Sequence, residues 1–382
     1  MTRKPIYADN AATTPVSESV LNAMLPYYKE FYGNPSAIYK TGREAHQAIE
    51  NARKKIADII GAGPMDIYFT SCGTEADNWA LKGTARKLRA SEGKKHIITT
   101  KIEHHAILHS CEALEREGFE ITYLPVDEKG RVTAQQVKEA IRPDTALVSV
   151  MYANNEIGTI EPIAEIGTVC REAGVLFHTD AVQAAGILPI NVEEDCIDMM
   201  SVSAHKFNGP KGTGFLYCRR NLHPETFMDG GAQERGHRAG TENVAGIVGM
   251  AQAFEDATAG KAEWAEHERK LRDYIQKGLE EIPDSQVNGD QDNRLPGTLN
   301  MSFPGVDGQS LLFSLDLKGV EASSGSACAS GSLDPSHVLM AIGLPYTMAH
   351  GSLRITVGRY NTMEDAEYII KAVKEVVAEL RG

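Results

Sequence analysis

Residues 175–218 read VLFHTDAVQAAGILPINVEEDCIDMMSVSAHKFNGPKGTGFLYC. Three apolar runs stand in this stretch, Val175–His178, Met199–Ser203 and Gly214–Cys218, each of strand length. The first closes on Asp180, and the second on Ser203-Ala204-His205-Lys206 before Gly209 and Gly212. Ligands of open α/β sheets bind beyond the carboxyl ends of strands. Asp180, Ser203, His205 and Lys206 are therefore candidates for one site. A lysine there, beside groups able to hold a phosphate, suits Schiff-base chemistry, and a carboxylate there can keep a pyridinium nitrogen protonated. From the segments alone, a solvent-facing lysine and an Asp180 that merely caps a helix are the alternatives.

Working outward, apolar runs alternate with amphipathic stretches. Ile67–Thr70, His96–Thr100, Glu120–Val126 and Ala146–Met151 read as strands. Glu75–Leu88, His105–Glu117, Thr133–Ile141 and Ile163–Ala173 carry helical spacing. This βαβα order predicts an α/β fold with a mostly parallel sheet covered on both faces. The last third differs. It predicts a long helix over Lys261–Glu281 and short strands at Leu299–Phe303, Val320–Ser323 and Leu353–Val357. A Thr362–Asp365 capping box opens the closing helix. These elements predict a separate, smaller α+β domain.

A chain of 382 residues can bury a large core and form two or three domains. With 39 Lys and Arg against 52 Asp and Glu, the net charge is −13, spread without long like-charge runs. That gives no basic face for nucleic acid, and an acidic or zwitterionic small substrate would need local Arg or Lys. No run of 18 apolar residues and no N-terminal apolar segment is present, so neither a membrane span nor a secretory signal is expected. The six cysteines, at 72, 111, 170, 196, 218 and 328, form no C-x-x-C pair and predict reduced thiols in the cytoplasm.

The run Thr70-Ser71-Cys72-Gly73-Thr74-Glu75 predicts a strand, a turn and a helix start, whose free N–H groups suit a phosphate. It is not a Walker loop, and no G-x-G-x-x-G follows a strand, so a nicotinamide dinucleotide is disfavoured. His104, His105, His109 and Cys111 lack metal-site spacing, and no metal is expected. One imidazole stacked on an aromatic cofactor needs only His104. Cys328 lies within SSGSACASGS (323–332), where small residues on both sides predict a mobile loop and an accessible thiol. Cys72 and the other four cysteines read as packing residues.

Together these residues resemble the cysteine desulfurases of the NifS/IscS type, within the class-V aminotransferase-like, fold-type I pyridoxal-phosphate enzymes. The matching segments are Tyr7–Pro15, Gly33–Ser36, Ser71–Asn78, Glu103–His105, Asn154–Gly158, His178–Gln183, Ser203–Lys206, Gly236–Thr241, Ser323–Ser330 and Leu353–Arg354. They span nearly the whole chain. The resemblance implies a seven-stranded, mostly parallel large domain over 15–257. It implies a small domain from 1–14 and 258–382 that carries the Cys328 loop.

It also implies pyridoxal 5′-phosphate on Lys206, with Asp180 at the pyridine nitrogen and Gln183 and Asn155 at the O3′ side. His104 would stack on the ring and move protons. Gly73, Thr74, Ser203 and His205 would bind the phosphate, joined by Thr241 from a second subunit of a homodimer. Arg354, Asn34 and Asn155 would hold the substrate L-cysteine, and Cys328 would take its sulfur as a persulfide. The acceptors would be an iron–sulfur scaffold or a tRNA-thiolation sulfurtransferase, with no direct nucleic-acid or membrane partner. Cys72 stands where many relatives have Gly or Ala, and the chain stops soon after its last helix, so scaffold docking is less firmly implied than the chemistry. Selenocysteine lyase, another class-V lyase or aminotransferase, and a non-catalytic sulfur carrier are the competing readings. Cys328 speaks against a plain aminotransferase, and Lys206 with Asp180 against a non-catalytic carrier.

Overall fold

The computed structural model describes residues 4–222, 224–324 and 335–382. After a short strand β1 (Ile6–Tyr7) come β2 (Ile67–Thr70), β3 (His96–Thr100), β4 (Glu120–Leu124), β5 (Thr145–Ser149), β6 (Leu176–Asp180), β7 (Met199–Ser203) and β8 (Gly214–Cys218). These last seven form one sheet in the order β2-β8-β7-β6-β5-β3-β4. β8 runs antiparallel to both its neighbours, and the other ladders are parallel. Since β2 opposes β8 and β8 opposes β7, six of the seven strands point the same way. Their carboxyl ends share one edge of the sheet.

Strand geometry divides the core. Successive side chains face opposite ways, so Ile67, Phe69, Ile98, Val148, Met200, Val202, Phe215 and Tyr217 join one buried cluster. Tyr68, Ile97, Leu147, Met199, Leu216 and Cys218 join another. The helices Lys40–Ile60 and Ile163–Ala173 cover the first face, while helix His105–Arg116 and the helix that starts at Gly73 cover the second. Burial on both faces explains why these strands are continuous apolar runs.

The last third builds a three-stranded antiparallel sheet from β9 (Gln286–Val287), β10 (Thr298–Ser302) and β12 (Ser352–Thr356). The pair of β1 and β11 (Val320–Glu321) lies apart from it. Helix Met363–Arg381 opens with the expected Thr362–Asp365 capping box. A separate apolar cluster, including Leu299, Leu353, Ile369 and Val376, fills this part.

Two elements depart from the sequence expectation. Strand β6 continues to Asp180 and does not stop at His178, so the carboxylate belongs to the last residue of the strand. The long helix runs over Val244–Leu279, starting 17 residues before Lys261. Gly246 and Gly249 weaken helix propensity there, yet close packing demands them. A Cβ at Gly249 would lie 2.6 Å from Met24 Sδ, and one at Gly246 2.6 Å from Thr213 Cγ2. The first half of this helix packs in the large core and its second half, through Leu271, Ile275 and Leu279, in the small one.

The edge strand β2 is closed by side chains. Arg53 meets the Glu234 carboxylate through two hydrogen bonds of 2.9 Å, both groups being buried. Glu234 Oε2 also accepts the Phe69 N–H (3.0 Å), and the Ile67 carbonyl accepts from Arg53 (2.7 Å) and Arg235 (2.8 Å). Glu234 and Arg235 adopt left-handed φ angles of 43° and 59° to make this seal. Glu234→Ala leaves Arg53 charged and buried, and should lower the urea-unfolding free energy by about 3–5 kcal/mol. Arg53→Met combined with Glu234→Leu should cost less than Glu234→Ala alone. A loss below ~1 kcal/mol for Glu234→Ala, the value of an exposed pair, would contradict this role.

Candidate active site

A cavity of about 280 Å³ opens at the shared edge of carboxyl ends. The chain steps one way across the sheet from β3 to β4 and the other way from β5 to β7, so the switch point lies between β3 and β5. His104 follows β3 and Asn155 follows β5. Asp180 ends β6 with Gln183 just beyond it, Ser203, His205 and Lys206 come from the end of β7, and Gly73 and Thr74 follow β2. All of these line the cavity, with Arg354 of β12 closing it. Ten sequence-predicted residues thus come together.

Asp180 is 5% exposed. Burial raises its carboxyl to about 6, against the opposing pull of the Val182 N–H (2.9 Å) and the Lys206 charge. Lys206 Nζ donates to the carbonyls of Ala11 (2.5 Å) and Ala12 (2.8 Å). His104 accepts the Ala106 N–H at Nδ1 (3.1 Å), which assigns its ring proton to Nε2. Burial, and then Lys206, push this imidazole down to about 4. His205 is lowered to about 4 by burial and Lys206, and its Nδ1 lies 3.1 Å from Thr13 Oγ1. Both rings are neutral at pH 7.

The helix start at Gly73 leads through one π-type turn into a helix ending at Glu92. A Cβ on Gly73 would lie 2.5 Å from Val182 Cγ2, so only glycine fits at this edge of the cavity. Arg354 is buried, bonded to Asp9 Oδ1 (2.6 Å) and to the Asn155 carbonyl (2.9 Å). An amine, a buried carboxylate, neutral imidazoles, a helix start at a glycine and an arginine match the needs of pyridoxal phosphate and an amino-acid carboxylate. These residues fit that group.

Two predicted residues stand outside the cavity. Asn34 is exposed, and its Oδ1 accepts the Ser36 N–H (2.9 Å). It does not reach the arginine of its own chain's site. Thr241 is exposed too, although Arg238 nearby pairs with Glu75 (2.7 Å) at the helix start. Cys328 lies outside the described residues. Cys72, read as a packing residue, is half-buried and lines the cavity. Cys111 is buried in the core, its thiol raised by burial. The side-chain ligand atoms of Asp77, His104 and Asp180 do lie within 4.8 Å of one another. All three line the cavity.

Six further residues lie in quoted segments of the sequence that give them no role. Asp9 and the Ala11 and Ala12 carbonyls hold Arg354 and Lys206. Asp77 is buried behind Asp180 and raised well above its usual range by burial and then by Asp180. His178 lies 3.7 Å from it and is lowered to about 3 by burial, so a neutral ring faces that carboxyl. Glu103, also buried, accepts from Thr100 Oγ1 (2.8 Å) and the Met151 N–H (3.0 Å), tying the loop after β3 to the loop after β5.

Comparison with known proteins gives consistent results. The family model of class-V aminotransferases matches residues 6–369. A cysteine desulfurase IscS of Methanosarcina thermophila is 53% identical over 379 residues, covering 99% of this chain and 93% of the relative. One from Dictyoglomus turgidum is 52% identical, covering 99% and 96%. A solved NifS-like protein superposes with a TM-score of 0.92 at 40% identity, over 98% of this chain and 100% of that one. A structure of SspA in complex with cysteine superposes at 0.83 and 39% identity, over 93% and 99%.

Burial raises Glu103 to about 8. The folded state therefore holds a proton that the unfolded state has lost above its usual carboxyl range, and stability falls as pH rises toward 8. Glu103→Gln should remove one such group. It should flatten the decline between about pH 5.5 and 7 by roughly 1.4 kcal/mol per pH unit. Urea unfolding across that range tests it, and an unchanged slope would contradict a protonated Glu103.

Proposed function

The chain belongs to the class-V aminotransferase family, and on that premise we propose a pyridoxal-phosphate-dependent cysteine desulfurase that converts L-cysteine to L-alanine. The observation that carries the reading is the placement of the Lys206 amine, the buried Asp180 carboxyl and the Arg354 guanidinium around one cavity. When bound, pyridoxal phosphate supplies an electron sink for the carbon skeleton of an attached amino acid. Lys206 would hold it covalently, Asp180 its ring nitrogen, and Gln183 and Asn155 its O3′ side. Gly73, Thr74, Ser203 and His205 would hold its phosphate. His104 would lie against its ring.

The chain's own groups then divide the work. Arg354 grips the substrate carboxylate with a planar fork already fixed by Asp9. Lys206 Nζ, once the substrate amine has replaced it, would take the Cα proton, and His104, neutral with its proton on Nε2, would return a proton to the carbon skeleton. The Cys328 thiolate attacks the substrate sulfur. Its new S–S bond replaces the C–S bond, and the carbon skeleton regains a proton to leave as alanine. Atoms balance as L-cysteine plus Cys328 thiol giving L-alanine plus Cys328 persulfide, without an external oxidant.

The proposal includes a large domain over 15–257 and a small one over 1–14 and 258–382. It includes a homodimer in which Thr241, exposed in a single chain, completes the partner's phosphate site, with Asn34 adding to substrate binding. It also includes cytoplasmic delivery of sulfur to an iron–sulfur scaffold or a tRNA-thiolation enzyme. The five described cysteines are all free, and no described helix is long and apolar enough to cross a membrane. Replacing the thiol tests the sulfur step, because serine is hardly ionised at neutral pH. Cys328→Ser should bind the cofactor and cysteine normally yet release sulfide at least about 100-fold more slowly, ~2.7 kcal/mol of barrier. After cysteine without reductant, mass spectrometry of the natural protein should find one added sulfur on the Cys328 peptide. Near-normal activity in Cys328→Ser, or sulfur mainly on Cys72, would overturn the assignment.

A further inference from the structure

Two imidazoles line the cavity without a role so far, His105 and His337. They belong to the end marked by Arg354. The buried Glu156 carboxyl, also at the cavity wall, feels the charges of both Arg354 and His105. The His105 ring lies between two others, its centre 4.9 Å from that of His337 and 5.1 Å from that of His109. The wall that continues from the arginine past Glu156 is therefore made of imidazoles.

The two rings differ in what they offer. His105 keeps its Nδ1 sealed inside the protein without a partner. His337 Nε2 lies 3.0 Å from the Glu103 carbonyl. A carbonyl can only accept, so Nε2 carries the ring proton and Nδ1 a lone pair. The ring is half-buried, and its Nδ1 has no partner among the described residues and is open to solvent. Burial, with the His109 charge acting in the same sense, lowers this imidazole below the ordinary histidine range, so it is neutral at pH 7. Its base is rigid. Glu103 is tied through its carboxylate to Thr100 and the Met151 N–H, and it directly precedes His104. A ring pinned at one nitrogen presents the other as an acceptor in a fixed direction.

We infer that His337 is a specificity-determining residue whose Nδ1 accepts a hydrogen bond from the thiol of bound L-cysteine. This rests on the desulfurase reading. Arg354 and the lysine end of the cavity hold a carboxylate and an amine, the two groups common to every α-amino acid. Neither can tell cysteine from the alanine that must leave after the reaction. That choice falls to a side-chain contact. A thiol is a donor, though a weak one, and a methyl group is none. A site that offers a fixed acceptor favours the ligand able to pair it and disfavours the analogue that leaves it unpaired. Because water reaches Nδ1, the discrimination should be that of one net hydrogen bond, roughly fivefold.

The test uses the cofactor-loaded, full-length protein and three variants. His337→Phe keeps a ring without an acceptor, His337→Asn keeps an acceptor near the Nδ1 position, and His337→Ala gives the same reading as His337→Phe if the larger ring does not fold. Binding is read from the change in cofactor absorbance. The ligands are L-cysteine, rapidly mixed and read ahead of turnover, and L-2-aminobutyrate, in which a methyl group replaces the thiol. The ratio of the two affinities isolates the thiol contact, because a loosened site weakens both ligands alike. His337→Phe and His337→Ala should lower the preference for cysteine roughly fivefold. They should leave the aminobutyrate affinity within about twofold, since that ligand makes no hydrogen bond to lose. His337→Asn should retain most of the preference. An unchanged ratio in His337→Phe or His337→Ala overturns the inference. So does a loss of equal size for both ligands, the mark of a merely structural role. Natural protein that makes no alanine from cysteine refutes the desulfurase reading itself, whatever the variants do.

Discussion

Asp180 carries its carboxyl at the last residue of a central strand, buried, with one backbone N–H and the Lys206 charge to offset the water it gives up. Much of the architecture follows from keeping this pair in place. An isolated buried charge would neutralise, so the amine must come from a fixed neighbour. It does: β7 lies beside β6 in parallel register, pairing Asp180 with Ser201, and Lys206 follows one short turn after β7. The antiparallel β8 then locks β7 from its other side. A slip of this register would turn the strand's residues to the opposite face and separate the two groups.

The N-terminal segment completes the constraint from far away in sequence. The Ala11 carbonyl accepts from both Lys206 and Gln183, while the Ala11 N–H donates to Thr356 Oγ1 of β12 (2.9 Å). Asp9, two residues earlier, fixes Arg354. One short stretch, turning at Asn10–Ala12, thus joins the lysine of the large sheet to the arginine of the small one. The geometry of the cavity is a property of both parts together, and the helix Val244–Leu279, packed into both cores, holds them in one arrangement.

Much of this was legible in the sequence, for physical reasons. Strands buried on both faces write themselves as apolar runs, and Ile67–Thr70, His96–Thr100, Met199–Ser203 and Gly214–Cys218 were read to the residue. Residues at strand ends signal a site because the fold class places ligands there. What escaped reading depended on contacts distant in sequence. The first half of the long helix carries glycines that local propensity counts against helix, and only Met24 and Thr213 explain them. Asp77 and Glu103 look like ordinary helix and loop acids until burial raises both carboxyls above their usual range at the site. The Ala11 and Ala12 carbonyls have no side-chain signature at all.

Lysine modification addresses the central claim most directly. The protein loaded with pyridoxal phosphate, reduced with borohydride and digested, should yield one pyridoxyl-bearing peptide with the label on Lys206. Lys206→Ala should yield none while still folding. Label on Lys211 or another lysine, or equal labelling of the Lys206→Ala protein, would contradict the account of the site given by Asp180, Lys206 and the segment that holds them.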